Sequence, residues 1–158
     1  MLTNLDVYLA IAEEALAECE RLEKESRTPK PDGEPGFIVK YDPERKSFKN
    51  GLIAITFAGI FLEAYFYIVG VSRFGRTEYN KTHNRKTYEQ KLMLFGISDP
   101  ALLARCEHFR EMRKDVVHEK AAETLDVDKI DSAQAEAKNA LSFVKDVVEK
   151  FRVNDTTS

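Results

Sequence analysis

The run GLIAITFAGIFLEAYFYIVGV, residues 51–71, decides how this chain of 158 residues folds. The run is apolar except for one acid, Glu63, and a few small polar or aromatic positions, and it is long enough to span a membrane. A charge near the centre of a membrane-spanning helix is costly and rare, however, and nothing else in the chain resembles a membrane protein. We therefore expect no membrane contact and a helix that is buried on all sides, within a helical bundle or between two copies of the chain.

Helical patterns flank this run on both sides. The helix that contains it is predicted to begin at Asp42-Pro43, where an N-cap precedes a proline in the first turn, and to end at Val69 or Gly70. Glycine is scarce, whereas the helix-forming residues Ala, Leu, Glu and Lys are plentiful. Apolar residues at a period near 3.6 predict the other helices over about residues 3–26, 87–95, 99–119 and 129–153.

The segments between these helices are predicted as loops. Residues 27–36 contain three prolines and two glycines, and residues 72–86 are polar. The run Phe37-Ile38-Val39 has the composition of a strand, but the sequence identifies no partner for it. The fold class predicted is all-α, a bundle of four long helices and one short one, in a single domain over residues 1–153 with a frayed C-terminal tail over residues 154–158.

Charge and cysteine content narrow the function classes. The net charge of −3 is not typical of a nucleic-acid-binding protein, so any RNA contact must come from a local patch. Cys19 and Cys106 lie on apolar helix stripes, which favours core residues and a reducing, cytoplasmic location. Two cysteines and three scattered histidines do not make a zinc site. A carboxylate-bridged metal bundle needs two Glu-x-x-His motifs, and the chain has only Asp115-x-x-His118, so we expect no metal and no cofactor.

Arg113 does not fit the core pattern of its helix. On a helical projection it falls near the middle of an apolar stripe whose other members are Leu102, Cys106, Phe109, Val116 and Val117. An unpaired buried arginine is expensive, and Glu63 is the only charge in the apolar run, so we hypothesise that the two pair or share a hydrogen-bond network. Arg113 is then a structural arginine, a side chain that reaches out to solvent, or an anion-binding group in a cleft or dimer seam.

The segment Arg113 to His118, an arginine, four residues and a histidine, resembles the R-x4–6-H signature of HEPN domains (higher eukaryotes and prokaryotes nucleotide-binding). The polar Lys114 and the aliphatic pair before His118 are similar to that family as well, as is the phrase Ala-Gly-Ile-Phe-Leu-Glu at residues 58–63. The resemblance implies a HEPN-like helical bundle that forms a homodimer, with the active site at the dimer seam. It also implies a metal-independent endoribonuclease.

The resemblance implies a specific chemistry. RNA carries its own nucleophile, the 2′-hydroxyl, so no metal-bound water is needed, and the products are a cyclic phosphate and a free 5′-hydroxyl. His118 transfers protons and Arg113 holds the phosphate. Glu63, Lys114 and Asp115 are supporting residues, although Asp115 either orients His118 or simply faces solvent.

The family association further suggests a toxin or anti-phage defence role, with an antitoxin protein as a second partner besides RNA. Some family members carry a tyrosine two residues after the histidine that an antitoxin modifies, but that position here is Lys120. The competing interpretation is a catalytically inactive HEPN-like module that dimerises or binds RNA or a partner without cutting. Arg113 and His118 then shape an interface.

A local basic patch lies in residues 72–91. The candidate RNA-binding residues there are Arg73, Arg76, Arg85 and Lys86. Phe74, Tyr79 and Tyr88 are interleaved with them, and aromatic rings among basic residues can stack on single-stranded RNA. The alternative is a solvated loop whose aromatic side chains cap the core.

Overall fold

The computed structural model describes the backbone of residues 4–118 and 127–156, and the side chains of residues 4–31, 33–114 and 133–153. Of the residues that the structure describes, 79% are helical, which confirms the all-α prediction. The helices are α1 (Leu5–Ser26), α2 (Lys46–Phe74), α3 (Arg76–Glu78), α4 (Tyr88–Leu94), α5 (Pro100–His118) and α6 (Val127–Thr156). A π-helical turn, Tyr79–His83, follows α3, and two short strands, β1 (Arg27–Pro29) and β2 (Phe37–Val39), separate α1 from α2.

Helix α2 is the central rod, and it packs mainly against α1 and α6. Small residues permit this close approach: a methyl group at Gly51 would lie 3.1 Å from the Ala133 carbonyl oxygen of α6. The apolar stripe of α6 is buried, at Ala133, Ala137, Ala140, Leu141, Val144, Val147 and Phe151. The helical core therefore lies where the apolar stripes place it.

The prediction that α2 is buried on all sides is wrong for the single chain. Ile53 and Ile68 are 40% and 38% exposed, and Glu63 is exposed as well. The helix is apolar all round, but its main neighbours cover only one face. By length and composition alone, with a mean hydropathy of 2.0, α2 is also the one helix among the described residues that could cross a membrane.

The ends of α2 differ from the prediction. The helix begins at Lys46, because Arg45 adopts a left-handed conformation (φ 50°). Asp42 still acts as a cap from outside the helix, since its carboxylate accepts hydrogen bonds from the backbone N–H groups of Glu44 (3.0 Å) and Lys46 (2.5 Å). At the other end α2 continues to Phe74, one turn further than predicted, and stops at Gly75 (φ 78°).

Residues 72–86 are not the loop that their polarity predicts. They contain the last turn of α2, then α3 and the π-helical turn. Tyr79 explains the difference: its side chain is fully buried, and it packs so closely on Gly70 that a methyl group there would lie 2.0 Å from the ring. A buried aromatic anchor thus holds this polar segment against α2.

The run Phe37–Val39, for which the sequence identifies no strand partner, forms strand β2, and its partner is β1, in the segment predicted to be a loop. The two strands are antiparallel, with Thr28 opposite Ile38. The two strands are connected through a short 3-10 turn and not through a two-residue hairpin turn. The connection therefore lacks the residue pair that marks a tight hairpin, and the sequence gives no local sign of the pairing.

Candidate functional site

Arg113 of α5 meets Glu63 of α2, as the sequence predicts. Arg113 Nη1 lies 2.5 Å from Glu63 Oε1. The side chains are 20% and 49% exposed, respectively, so the pair lies at the protein surface rather than in the core. This placement differs from the expected buried acid, and it leaves the ion pair accessible to a ligand.

Tyr88, at the start of α4, completes this cluster. Its hydroxyl donates a hydrogen bond to Glu63 Oε1 (2.6 Å) and accepts one from Arg113 Nη1. The ring is 9% exposed and contacts Phe66 and Phe109. Sequence reasoning missed this role and placed Tyr88 in the basic patch. Its signal was the capping box of Thr87 and Gln90, which fixes Tyr88 in the first turn of a helix.

The side chain of Arg113 packs directly against Gly59, and we call this contact surface on α2 the seat of Arg113. A methyl group at this position would lie 2.2 Å from Arg113 Nε and 2.5 Å from Cδ. Glu63 follows Gly59 by four residues and therefore lies on the same face of α2, one turn further along. The arginine thus lies flat across the helix backbone, while the carboxylate holds its head group. Arg113 Nε is buried without a hydrogen-bond partner, consistent with this close fit.

Mutual contacts fix the protonation of the cluster. Burial acts to raise the pKa of Glu63, but the hydrogen bonds from Tyr88 and Arg113 and the arginine charge outweigh it and lower the pKa. Burial, supported by the bond to Glu63, raises the pKa of Tyr88. The pKa of Arg113 is raised despite its burial, chiefly by Glu63. At neutral pH the site therefore holds a carboxylate, a neutral phenol and a guanidinium.

Lys91 adds a second basic group near this cluster. It is only 6% exposed, and burial lowers its pKa, while the charge of Glu63 acts in the opposite direction. The charge of Glu63 therefore interacts with two basic side chains, those of Arg113 and Lys91.

The structure describes less of the other residues in the motif. His118 is the last residue of α5, but its side chain and that of Asp115 lie outside the described residues, so their predicted roles stay predictions. His118 lies five positions after Arg113 on the helix, which is about 140° of rotation and 7.5 Å of rise. Lys114 is exposed and lies 3.8 Å from Glu111, a surface pair rather than part of the cluster.

The candidate RNA-binding residues do not form one uniform surface. Arg73 donates a hydrogen bond to the Phe95 carbonyl oxygen (2.9 Å), and its guanidinium lies over the rings of Phe95 and Phe151 at 5.6 and 5.9 Å. Arg76 and Arg85 are exposed, whereas Lys86 is half-buried. Arg73 therefore has a structural role at the end of α4.

Of the two interpretations that the sequence leaves open for these aromatic residues, the stacking platform does not fit the structure. Tyr79 and Tyr88 are buried, and Phe74 packs against His83 with ring centroids 4.8 Å apart. The alternative, that these aromatic side chains cap the core, fits the structure. Any RNA contact by this segment therefore depends on charge and not on stacking.

Within the described ranges, no group of three or more His, Cys, Asp and Glu side chains is arranged to hold a metal ion. Comparisons with known proteins found no match: no family model fits the chain, and no curated protein or solved structure is significantly similar to it.

Proposed function

We propose that this protein is a metal-independent endoribonuclease of HEPN type, and that Arg113 binds the scissile phosphate. One observation carries the proposal: the Arg113 side chain is partly exposed (20%), seated on Gly59 and oriented by Glu63 and Tyr88. A guanidinium held in place before substrate arrives stabilises developing phosphate charge without reorganisation at the moment of reaction. The helix that carries it ends at His118, the proposed proton-transfer residue.

The chemistry needs only groups of this chain and of RNA. The 2′-hydroxyl attacks the adjacent phosphorus as a base removes its proton. The bond to the 5′-oxygen breaks, and that oxygen takes up a proton. The products are a 2′,3′-cyclic phosphate and a 5′-hydroxyl. Arg113 balances the charge on the non-bridging oxygens, and Glu63 keeps the guanidinium in place.

A homodimer accounts for the separation of Arg113 and His118 around α5, since two copies can bring both pairs to a shared cleft. The exposed side of α2 supports this part of the proposal. It carries Ile53, Ile60, Ala64 and Ile68, which are not fully buried and repeat at helical spacing beside Glu63. An apolar helix face of this length is typical of a protein contact.

The proposed setting is the cytoplasm, with RNA as substrate, a toxin or anti-phage defence role, and an antitoxin as regulatory partner. This part rests on the resemblance of residues 58–63 and 113–118 to the HEPN family.

The proposal is tested by cleavage of labelled mixed-sequence RNA in EDTA. The proteins are wild type, Arg113→Ala, His118→Ala and a matched control, Arg110→Ala. Arg110 lies one turn before Arg113 on α5 and pairs with Glu89 (2.9 Å) and Glu111 (2.5 Å) instead of with Glu63 or Tyr88. We expect the first two substitutions to lower the rate by roughly 10²–10³-fold, as for loss of a charge-stabilising or proton-transfer group, and the control to cut normally. Equal rates in all four proteins would refute the assignment.

The second candidate is an inactive HEPN-like module that dimerises or binds RNA or a partner. The observation in its favour is that Arg113 is already engaged by Glu63 and Tyr88, as a purely structural arginine would be. Such a module predicts no cleavage by any variant, together with weaker dimerisation or binding when Arg113 is replaced.

A further inference from the structure

The hairpin formed by β1 and β2 exposes an unusual amount of apolar surface. Phe37, Ile38 and Val39 are 58%, 55% and 66% exposed, and Tyr41, two residues later, is 80% exposed. Four large apolar side chains within five residues therefore face solvent on both faces of a two-stranded ribbon. An apolar edge strand of this kind is a template for pairing with another strand.

The register shows which edge is open. Ser26 and Lys40, and Lys30 and Gly36, form backbone hydrogen bonds across the hairpin (2.7 and 3.4 Å). Because bonded and non-bonded pairs alternate in antiparallel ribbons, the opposed pair of Thr28 and Ile38 is also bonded inward. The N–H and C=O groups of Phe37 and Val39 therefore point outward from β2.

The opposite edge is closed to growth of the sheet. On β1 the outward groups belong to Arg27 and Pro29, and proline has no N–H to donate. A further strand can thus join this ribbon with a full set of backbone hydrogen bonds only along β2.

We propose that β2 pairs with β2 of a second copy of this chain, antiparallel about a two-fold axis at Ile38. The two chains then form a four-stranded sheet in the order β1-β2-β2-β1. Phe37 of each copy faces Val39 of the other and exchanges two backbone hydrogen bonds with it, four bonds in total. This two-fold pairing requires the N–H and C=O groups of Phe37 and Val39 to point outward from β2, and they do.

The side chains fit the same symmetry. Each Phe37–Val39 contact is an aromatic pair with a β-branched residue, a favourable cross-strand combination, and all four lie on one face. The two Ile38 side chains meet on the other face. No charged residue lies between Gly36 and Val39, so no like charges oppose each other within the paired strands. This contact is separate from the proposed seam beside Glu63.

Disulfide trapping tests the contact directly. At a two-fold in a non-bonded antiparallel pair the opposing Cα atoms are about 4.5 Å apart, within the range for a disulfide. Under mild oxidation we expect Ile38→Cys to cross-link rapidly to a dimer. The control Thr28→Cys, on the strand facing away from the axis, should cross-link only slowly. The native Cys19 and Cys106 are buried and should not interfere.

Sedimentation of the uncross-linked protein gives the second readout. Val39→Pro removes an outward N–H but none of the bonds within the hairpin, so it should lower the mass of the largest species seen for wild type at high concentration. The remaining species should be a monomer, or a dimer where the seam at α2 also forms, and this result does not depend on RNA cleavage. Equal cross-linking of the Ile38→Cys and Thr28→Cys proteins, or an unchanged mass for Val39→Pro, would overturn the proposal.

Discussion

The substitution Gly59→Ala should move the Arg113 side chain without changing its charge. The added methyl group would lie 2.2 Å from Nε, 2.5 Å from Cδ and 2.6 Å from Cζ of Arg113, far inside van der Waals contact. The arginine must therefore leave its seat. It can do so because the clash involves the far end of a long side chain that is 20% exposed, and not the backbone of α5. We expect the protein to fold normally with Arg113 displaced from Glu63.

The expected magnitudes follow from two opposing contributions. Replacing a glycine by alanine inside a helix stabilises it by about 1 kcal/mol. Losing an ion pair whose acid is 49% exposed costs roughly 0.2–1 kcal/mol. The free energy of unfolding should therefore stay within about 1 kcal/mol of wild type. Cleavage should instead fall by roughly 10²–10³-fold, because the phosphate loses its pre-positioned partner.

Urea denaturation and RNA cleavage on the same preparations measure both quantities. A double-mutant cycle adds a test that is independent of function. In the Arg113→Ala background the methyl group of Gly59→Ala meets no guanidinium, so the second substitution should stabilise the protein by about 1 kcal/mol. The account of the seat is refuted if Gly59→Ala has the same effect on stability in both backgrounds, or if it alone leaves cleavage at the wild-type rate.

Three further results are expected. Gly70→Ala should destabilise the protein by roughly 1–3 kcal/mol in urea denaturation, because a methyl group 2.0 Å from the fully buried Tyr79 ring cannot be relieved at the surface; an unchanged midpoint would contradict this. The pKa of Glu63 is lowered, so its ion pair contributes fully above its ordinary pKa of 4.5 and is lost as the pH falls through the lower folded value. Glu63→Gln should therefore be less stable than wild type at pH 7 and lose less stability between pH 5 and 3, and parallel pH profiles would refute the assignment. Burial raises the pKa of the Cys19 thiol to about 11 and that of the Cys106 thiol to about 12. An aromatic disulfide reagent at pH 8 should therefore label them only upon unfolding. Rapid labelling of the native protein would show instead that the thiols are accessible.

The sequence predicted what depends on local pattern. The helices predicted over about residues 3–26, 87–95 and 129–153 each follow from spacing within one segment, and the structure contains them as α1, α4 and α6. The pairing of Glu63 with Arg113 was predictable too, although the residues are fifty positions apart. Each is the charged residue that interrupts the apolar pattern of its own helix. A charge that is removed from water is costly unless an opposite charge pairs with it.

What was missed depends on contacts between distant segments. The polarity of residues 72–86 hides a helical turn, because a single buried side chain, Tyr79, fixes its position against Gly70. Strand β1 contains a proline and lies in a loop-like segment, so only its pairing with β2 reveals it. The seat at Gly59 is likewise invisible in sequence, since its use appears only when the Arg113 side chain lies across it.

The central claim is that the 2′-hydroxyl of RNA is the nucleophile at a site that contains Arg113. The most direct measurement compares, in EDTA, the cleavage of one labelled RNA and its fully 2′-O-methylated counterpart by wild-type protein, with the ends of the products identified by mass spectrometry. With the 2′-hydroxyl as nucleophile, we expect that only the unmodified RNA is cut, leaving a 2′,3′-cyclic phosphate and a 5′-hydroxyl. Cleavage of the methylated strand, or products with a 5′-phosphate, would contradict it, because both require an external nucleophile.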